Sequence, residues 1–155
     1  MAKRLKILMV SAYWPPETKG GAEISTYLLA QGLVARGNDV SVITDGEDET
    51  QEMDGIRVYR RQFGLKEKPL RERRKSQLIA NKLQEFTDIM ESCEVVHAND
   101  FRSVLAVMEW QKITTSRKPV VATVRDYACI SGSTNFITKK WELPTDSIQD
   151  AYHSH

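Results

Sequence analysis

A chain of 155 residues, 41% hydrophobic and 28% charged, has room for one domain with a real core and is small for two. Its net charge of +1 leaves no global field that would favour nucleic acid. The apolar start is too short to span a bilayer, and no small-residue cleavage site follows it. Cys93 and Cys129 lie far apart with no Cys-x-x-Cys spacing, the pattern of free thiols in a reducing cytosol. The expectation is a soluble, cytoplasmic α/β domain.

In chain order, "LKILMV" at 5–10 reads as a buried strand and 22–36 as a helix. That helix carries Ile24, Tyr27, Leu28 and Val34 near one face and ends at Gly37. A second strand is expected at 40–44. Asp54-Gly55 is a turn signal, and "IRVYR" after it alternates as a third strand nearer an edge. The spacing of Ile79, Leu83, Phe86 and Met90 predicts one amphipathic helix over 70–90. A short strand follows at 94–97, then a helix over 101–112 with Phe101, Leu105 and Met108 on one side. The last strand is expected at 119–124. After about 125 the pattern becomes irregular.

Strands that alternate with helices and are nearly continuous in apolar residues predict a Rossmann-like, doubly wound parallel sheet. The expected strand order is 3-2-1-4-5, with helices on both faces. Ligands of such sheets sit at the carboxyl ends of the strands, where the first and fourth diverge. The residues to weigh are therefore 11–21, Asp45, 97–100 and 125–129.

The first connection, "SAYWPPETKGGAE", is long and ends in a glycine pair. A dinucleotide fingerprint needs G-x-G-x-x-G in a tight turn; here Gly20 and Gly21 are adjacent and position 24 is Ile. Asp45 stands where a ribose-binding acid would, but without the fingerprint it reads as a turn or cap residue. Two readings of Gly20-Gly21 stay open: relief of a tight turn, or close backbone approach to an anion at a helix N-terminus. Pro15 and Pro16 stiffen the loop before them.

Together these blocks resemble the opening of the group 1 (family 4) retaining glycosyltransferases, whose two Rossmann-like domains face a cleft in the GT-B arrangement. The match runs through Val10–Pro16, Gly20-Gly21, "LAQGLVARGNDVSVIT" at 29–44, "DGIRVYR" at 54–60, "VVHAND" at 95–100 and "KPVVATVRDYACI" at 118–130. The resemblance implies that residues 1–155 are the N-terminal, acceptor-side domain of a longer enzyme whose C-terminal domain holds the nucleotide sugar. It further implies that Gly20 and Gly21 contact the donor diphosphate, and that His97, Asp100, Arg125, Asp126 and Tyr127 line the cleft. Arg125 stands where many members have a histidine. An arginine stays protonated and can bind an anion, but it cannot move a proton, so no general acid or base is assigned. No metal and no cofactor is expected, only a nucleotide-sugar donor substrate and a sugar or lipid-linked acceptor. By itself the chain is expected to be inactive. The alternative is a stand-alone, non-catalytic α/β module that binds carbohydrate or a partner; a flavin-binding module is a weaker rival.

An acidic run at 47–54 precedes a basic stretch over 57–75, with nine basic residues against two acidic ones. One reading is a solvated strand edge and helix start. The other is docking on an anionic membrane surface through Arg71, Arg73, Arg74 and Lys75, each basic residue there contributing about 1 kcal/mol. That reading puts the protein at the inner face of the membrane as a peripheral protein. Nucleic acid is disfavoured, since no stacking aromatic is interleaved in the basic run beyond Phe63.

Overall fold

The computed structural model describes residues 3–17, 20–64 and 72–125. The chain divides into two compact units, Met1–Thr123 and Val124–His155. Only Val124 and Arg125 of the second are described, so the account below concerns the first.

The first unit is one six-stranded sheet. Strand β1 (Lys6–Ser11) leads to helix α1 (Gly21–Ala35), which stops at Gly37 with φ 85. Strands β2 (Asp39–Asp45), β3 (Glu49–Met53) and β4 (Ile56–Arg61) follow. Helix α2 (Glu72–Leu83), a 3-10 turn (Gln84–Phe86) and helix α3 (Thr87–Ser92) then lead to β5 (Val95–Ala98). Helix α4 (Phe101–Thr114) and β6 (Val120–Ala122) complete the unit. The order is β3-β4-β2-β1-β5-β6. Its five parallel strands run in the expected 3-2-1-4-5 order.

The additional strand, β3, corrects the expectation of an all-parallel sheet. The acidic run is not a loop: Glu49–Met53 pairs antiparallel with β4 at the sheet edge. A two-residue turn joins the pair, with Asp54 at φ 52 and Gly55 at φ 74, the left-handed pair that a tight hairpin requires. A Cβ at position 55 would also stand 3.2 Å from Val34 Cγ1, so glycine is required there twice over. The register sets Glu49 opposite Arg60 and Glu52 opposite Arg57. Acidic and basic residues that follow each other in sequence thus become cross-strand neighbours.

Alternation along β1 divides the core. Leu8 and Val10 face one side with Ile43, Val96 and the helices α2 and α4; Ile7 and Met9 face the other with Val40, Val42, Ile56, Val58 and α1. Ile79, Leu83, Phe86 and Met90 are all buried on the first side, as their spacing predicts. Their helix is not continuous, however. At Phe86 the backbone leaves the α region (φ −109, ψ 11), and the 3-10 turn separates α2 from α3.

Two helix faces differ from expectation. In α1, Thr26 and Ala30 are buried while Ile24 and Leu28 stand 50% and 59% exposed. In α4, Ser103, Ala106, Val107 and Trp110 face inward and Met108 outward. Both helices lie close on the sheet, and small side chains let them approach it. Ile24 and Leu28 are displaced outward in α1, where Tyr27 and Val34 pack against the core as expected, while α4 buries the large Trp110 beside its small residues.

Helix α1 is also tied to the hairpin. The Tyr27 hydroxyl and Gln31 Nε2 both donate to Asp54 Oδ2. The hydrogen bond to Asp54 raises the Tyr27 pKa, with burial and the Asp54 charge adding to it. The folded state therefore favours the neutral phenol. Its stabilisation is complete below the ordinary tyrosine value of about 10 and is lost as pH rises through the higher folded value. Chemical denaturation of wild type and Tyr27→Phe should show the wild type ahead at pH 8 and the difference shrinking above pH 10.

Candidate functional site

The carboxyl ends of β1, β2, β4 and β5 lie side by side, and the β1–α1 loop crosses them under several restraints. Ser11 Oγ donates to the Tyr13 carbonyl at 2.9 Å. The Ala12 N–H donates to Asp100 Oδ2, also at 2.9 Å. Trp14 is fully buried, edge-on to Tyr27 with ring centroids 5.6 Å apart. Arg60 Nη2 donates to the Pro15 carbonyl. The first part of the loop is therefore held at Ala12 by Asp100 and at Pro15 by Arg60, with Trp14 buried between them.

The loop delivers Gly20 and Gly21 to the first turn of α1. Gly20 has an extended backbone (φ −174, ψ −167) that any residue could adopt, and among the described residues an added Cβ would find Glu23 Oε2 alone within 4 Å, at 3.8 Å. A Cβ at Gly21 would meet none of the described residues within 4 Å. The Gly20 N–H donates to Glu23 Oε2 at 2.9 Å. An anionic oxygen of the chain's own thus already sits at this helix N-terminus, where the helix dipole favours negative charge.

At the end of β5, His97 is 8% exposed, with Nε2 2.7 Å from Thr123 Oγ1. Asn99 Nδ2 donates to the His97 carbonyl, and the Asn99 N–H to Val10 O. Asp100 caps α4: Oδ1 accepts the Ser103 N–H and Oδ2 accepts the Ser103 hydroxyl, besides Ala12. Both its oxygens serve the chain itself. Asp45 Oδ1 accepts the Phe63 N–H at 2.8 Å and so secures the exit of β4, a cap role.

Gly20, Gly21, His97 and Asp100 are thus brought to one end of the first unit. Arg125 belongs to the second unit, and Asp126 and Tyr127 lie outside the described residues. Of the basic stretch, Arg74 is exposed and Lys75 half-buried. Arg73 lies on α2, and Arg71 is outside the described residues. Arg61 is half-buried, donating to the Glu49 and Arg60 carbonyls and lying 5.2 Å from the Phe86 ring centroid. Sequence reasoning counted Arg60 only as one charge of the basic stretch and missed its burial. It is 6% exposed, and its signal was the alternation that places it in phase with Ile56 and Val58.

Among the described residues, no cluster of three or more His, Cys, Asp or Glu side chains could hold a metal ion. No helix among them is long and apolar enough to cross a membrane.

The family model described as Glycosyltransferase Family 4 matches residues 19–143. The chain belongs to that family. A Methanocaldococcus jannaschii protein described as uncharacterized glycosyltransferase MJ1607 is 45% identical over 36% of the chain and 15% of its own length. An uncharacterized 42.6 kDa protein in the cps region of Klebsiella pneumoniae is 26% identical over 93% of the chain and 43% of its own length. Among solved structures, sucrose-phosphate synthase (tll1590) from Thermosynechococcus elongatus superposes with a TM-score of 0.59 at 17% identity. It covers 82% of the chain and 34% of the synthase, a likeness of fold. The chain spans less than half the length of these relatives.

Asp100 links helix α4 to the β1–α1 loop, which separates two effects of its replacement. Asp100→Ala should cost about 2 kcal/mol or more, since an N-cap contributes about 1 and hydrogen bonds to a charged group more. Asp100→Asn keeps a capping oxygen but replaces one acceptor with an amide donor, and should fall between. Urea unfolding of the three proteins checks the order.

Proposed function

We propose that the chain is the acceptor-side domain of a retaining glycosyltransferase that moves a sugar from a nucleotide-sugar donor to an acceptor hydroxyl. The reading rests on the family and on one observation: Gly20 and Gly21 are not demanded by their own backbone or by crowding among the described residues. What the missing side chains leave is open access to the first amides of α1, the access that a diphosphate needs. In the transfer, the bond between the sugar's anomeric carbon and the diphosphate oxygen breaks. A bond from that carbon to the acceptor oxygen forms, and the hydroxyl proton passes to the departing diphosphate or to solvent.

In this reading the Gly20 and Gly21 amides face the diphosphate and stabilise the charge that grows on it as it leaves. The diphosphate competes with the Glu23 carboxylate for the Gly20 N–H. His97 and Asp100 belong to the same mouth, Asp100 by holding the loop. Arg125 attracts an anion rather than moving a proton, and Asp126 and Tyr127 bind hydroxyls. The nucleotide is held by sequence beyond these 155 residues, so turnover requires the longer protein. The acceptor is a sugar or a lipid-linked sugar.

Gly20→Ala and Gly21→Ala should each leave the melting temperature of the chain within a few degrees. In the complete enzyme each should lower kcat/KM for the nucleotide sugar at least tenfold. Unchanged kinetics would mean that the glycines do not face the donor.

For a lipid-linked acceptor, the start of α2 is the docking face, through Arg71, Arg73, Arg74 and Lys75. The chain should co-sediment with vesicles containing anionic phospholipid and not with neutral ones, and 0.5 M salt should abolish the binding. Equal sedimentation with both at low salt removes the membrane from the account.

A further inference from the structure

Arg60 is a cation in an unusual setting. Its side chain is 6% exposed. Among the described residues no carboxylate stands within ion-pair distance of it, and its acceptor is the Pro15 carbonyl. Burying a guanidinium without a counter-charge is costly, and a carbonyl dipole offsets that cost only where the geometry is fixed. The carbonyl contact is therefore what compensates the guanidinium at this position, and the contact in turn ties the loop to β4.

The surroundings are built to let the contact form. Arg60 pairs in register with Thr44, and Thr44 with Ser11. In a parallel sheet such partners face the same side, here the side of α1. The row Arg60, Thr44, Ser11 forms a polar edge on the core of Ile7, Met9, Val40, Val42, Ile56 and Val58. At the exit of β2, a Cβ at Gly46 would stand 3.3 Å from Arg60 Cδ and 3.4 Å from its Cβ, so the glycine leaves the arginine stem room to lie across the strand end. From there the guanidinium reaches the loop three residues beyond the Asp100 anchor at Ala12, on the other side of buried Trp14.

We propose that Arg60 is a positioning residue for the β1–α1 loop, fixing where the Gly20-Gly21 end of α1 is presented. The clause about what those glycines receive, a donor diphosphate, rests on the proposed function; the anchoring of the loop does not. Anchors on two sides of Trp14 restrain rotation of the loop about either one. Lysine keeps the charge but has a point ammonium in place of the planar fork, and methionine keeps only the stem.

Hydrogen exchange of the 155-residue chain is the direct test, with Arg60→Lys and Arg60→Met compared with wild type. Exchange at amides between Ala12 and Glu23 should rise about tenfold or more in both variants, while peptides from α2 and α4 keep their protection. Unchanged exchange in the loop overturns the proposal. So does a uniform rise across all peptides, which would make Arg60 a stabilising residue without a local role. If Arg60→Met fails to fold, Arg60→Lys, which retains stem and charge, decides the matter alone.

A second measurement separates the two readings. In the complete enzyme, Arg60→Lys should raise KM for the nucleotide sugar several-fold more than it lowers kcat. A loop loosened in both variants, with no binding of a nucleoside diphosphate by any of the complete proteins, upholds the positioning role and overturns the donor-site reading.

Discussion

The arrangement of this domain's functional end depends on a carboxylate that serves two elements at once. Asp100 starts α4 in the usual way, by accepting the Ser103 N–H. Its second oxygen also accepts the Ala12 N–H, the first residue past β1. Because β1 and β5 are adjacent in the sheet, a single side chain can cap one helix and start the loop that leads to another. The N-terminus of α4 and the path toward α1 are thereby fixed to each other. The register Val10 to Ala98 sets the distance that the carboxylate must bridge.

Much of this was legible in the sequence, and the exceptions have physical causes. The five parallel strands and their order followed from apolar runs between helical segments, because a strand buried on both faces leaves no polar alternation to confuse. The sixth strand was hidden because an edge strand with one exposed side carries little apolar signal. Glu49–Met53 is mostly polar, and only the Asp54-Gly55 turn indicated a partner before it. The inward faces of α1 and α4 were misread for another reason. Periodicity weights large residues, whereas Thr26, Ala30, Ser103 and Ala106 are the ones that fit against the sheet. At the mouth, the glycine pair and Asp100 were visible as motif positions. The loop's attachments were not, since they join residues 88 and 45 positions apart.

Charge illustrates the same difference between a sequence and its fold. The basic stretch over 57–75 looks like one electropositive patch when written out, yet β4 distributes its arginines to three environments. Arg57 is exposed, Arg60 is buried, and Arg61 lies against Phe86 and the Glu49 carbonyl. The acidic strand β3 lies alongside. Hence β4 does not present its arginines as one patch, and the anionic-surface docking proposed above is assigned to the beginning of α2.

The glycines make the strongest argument about where function lies. Gly55 has a positive φ and a crowded Cβ position, so the hairpin and its packing on α1 account for it fully. Gly46 makes room for the Arg60 stem. Gly20 and Gly21 have neither reason: one is extended, the other opens a helix, and among the described residues a methyl group would meet almost nothing. At Gly21, the first residue of α1, alanine would lose less chain entropy than glycine does. At the N-cap position of Gly20, glycine is favoured over alanine but ranks below Ser, Asp and Asn, whose side chains could cap the helix. The space above α1 suits the close backbone approach of the diphosphate proposed above, and it lies at the end of a loop that Asp100 and Arg60 anchor on either side of Trp14.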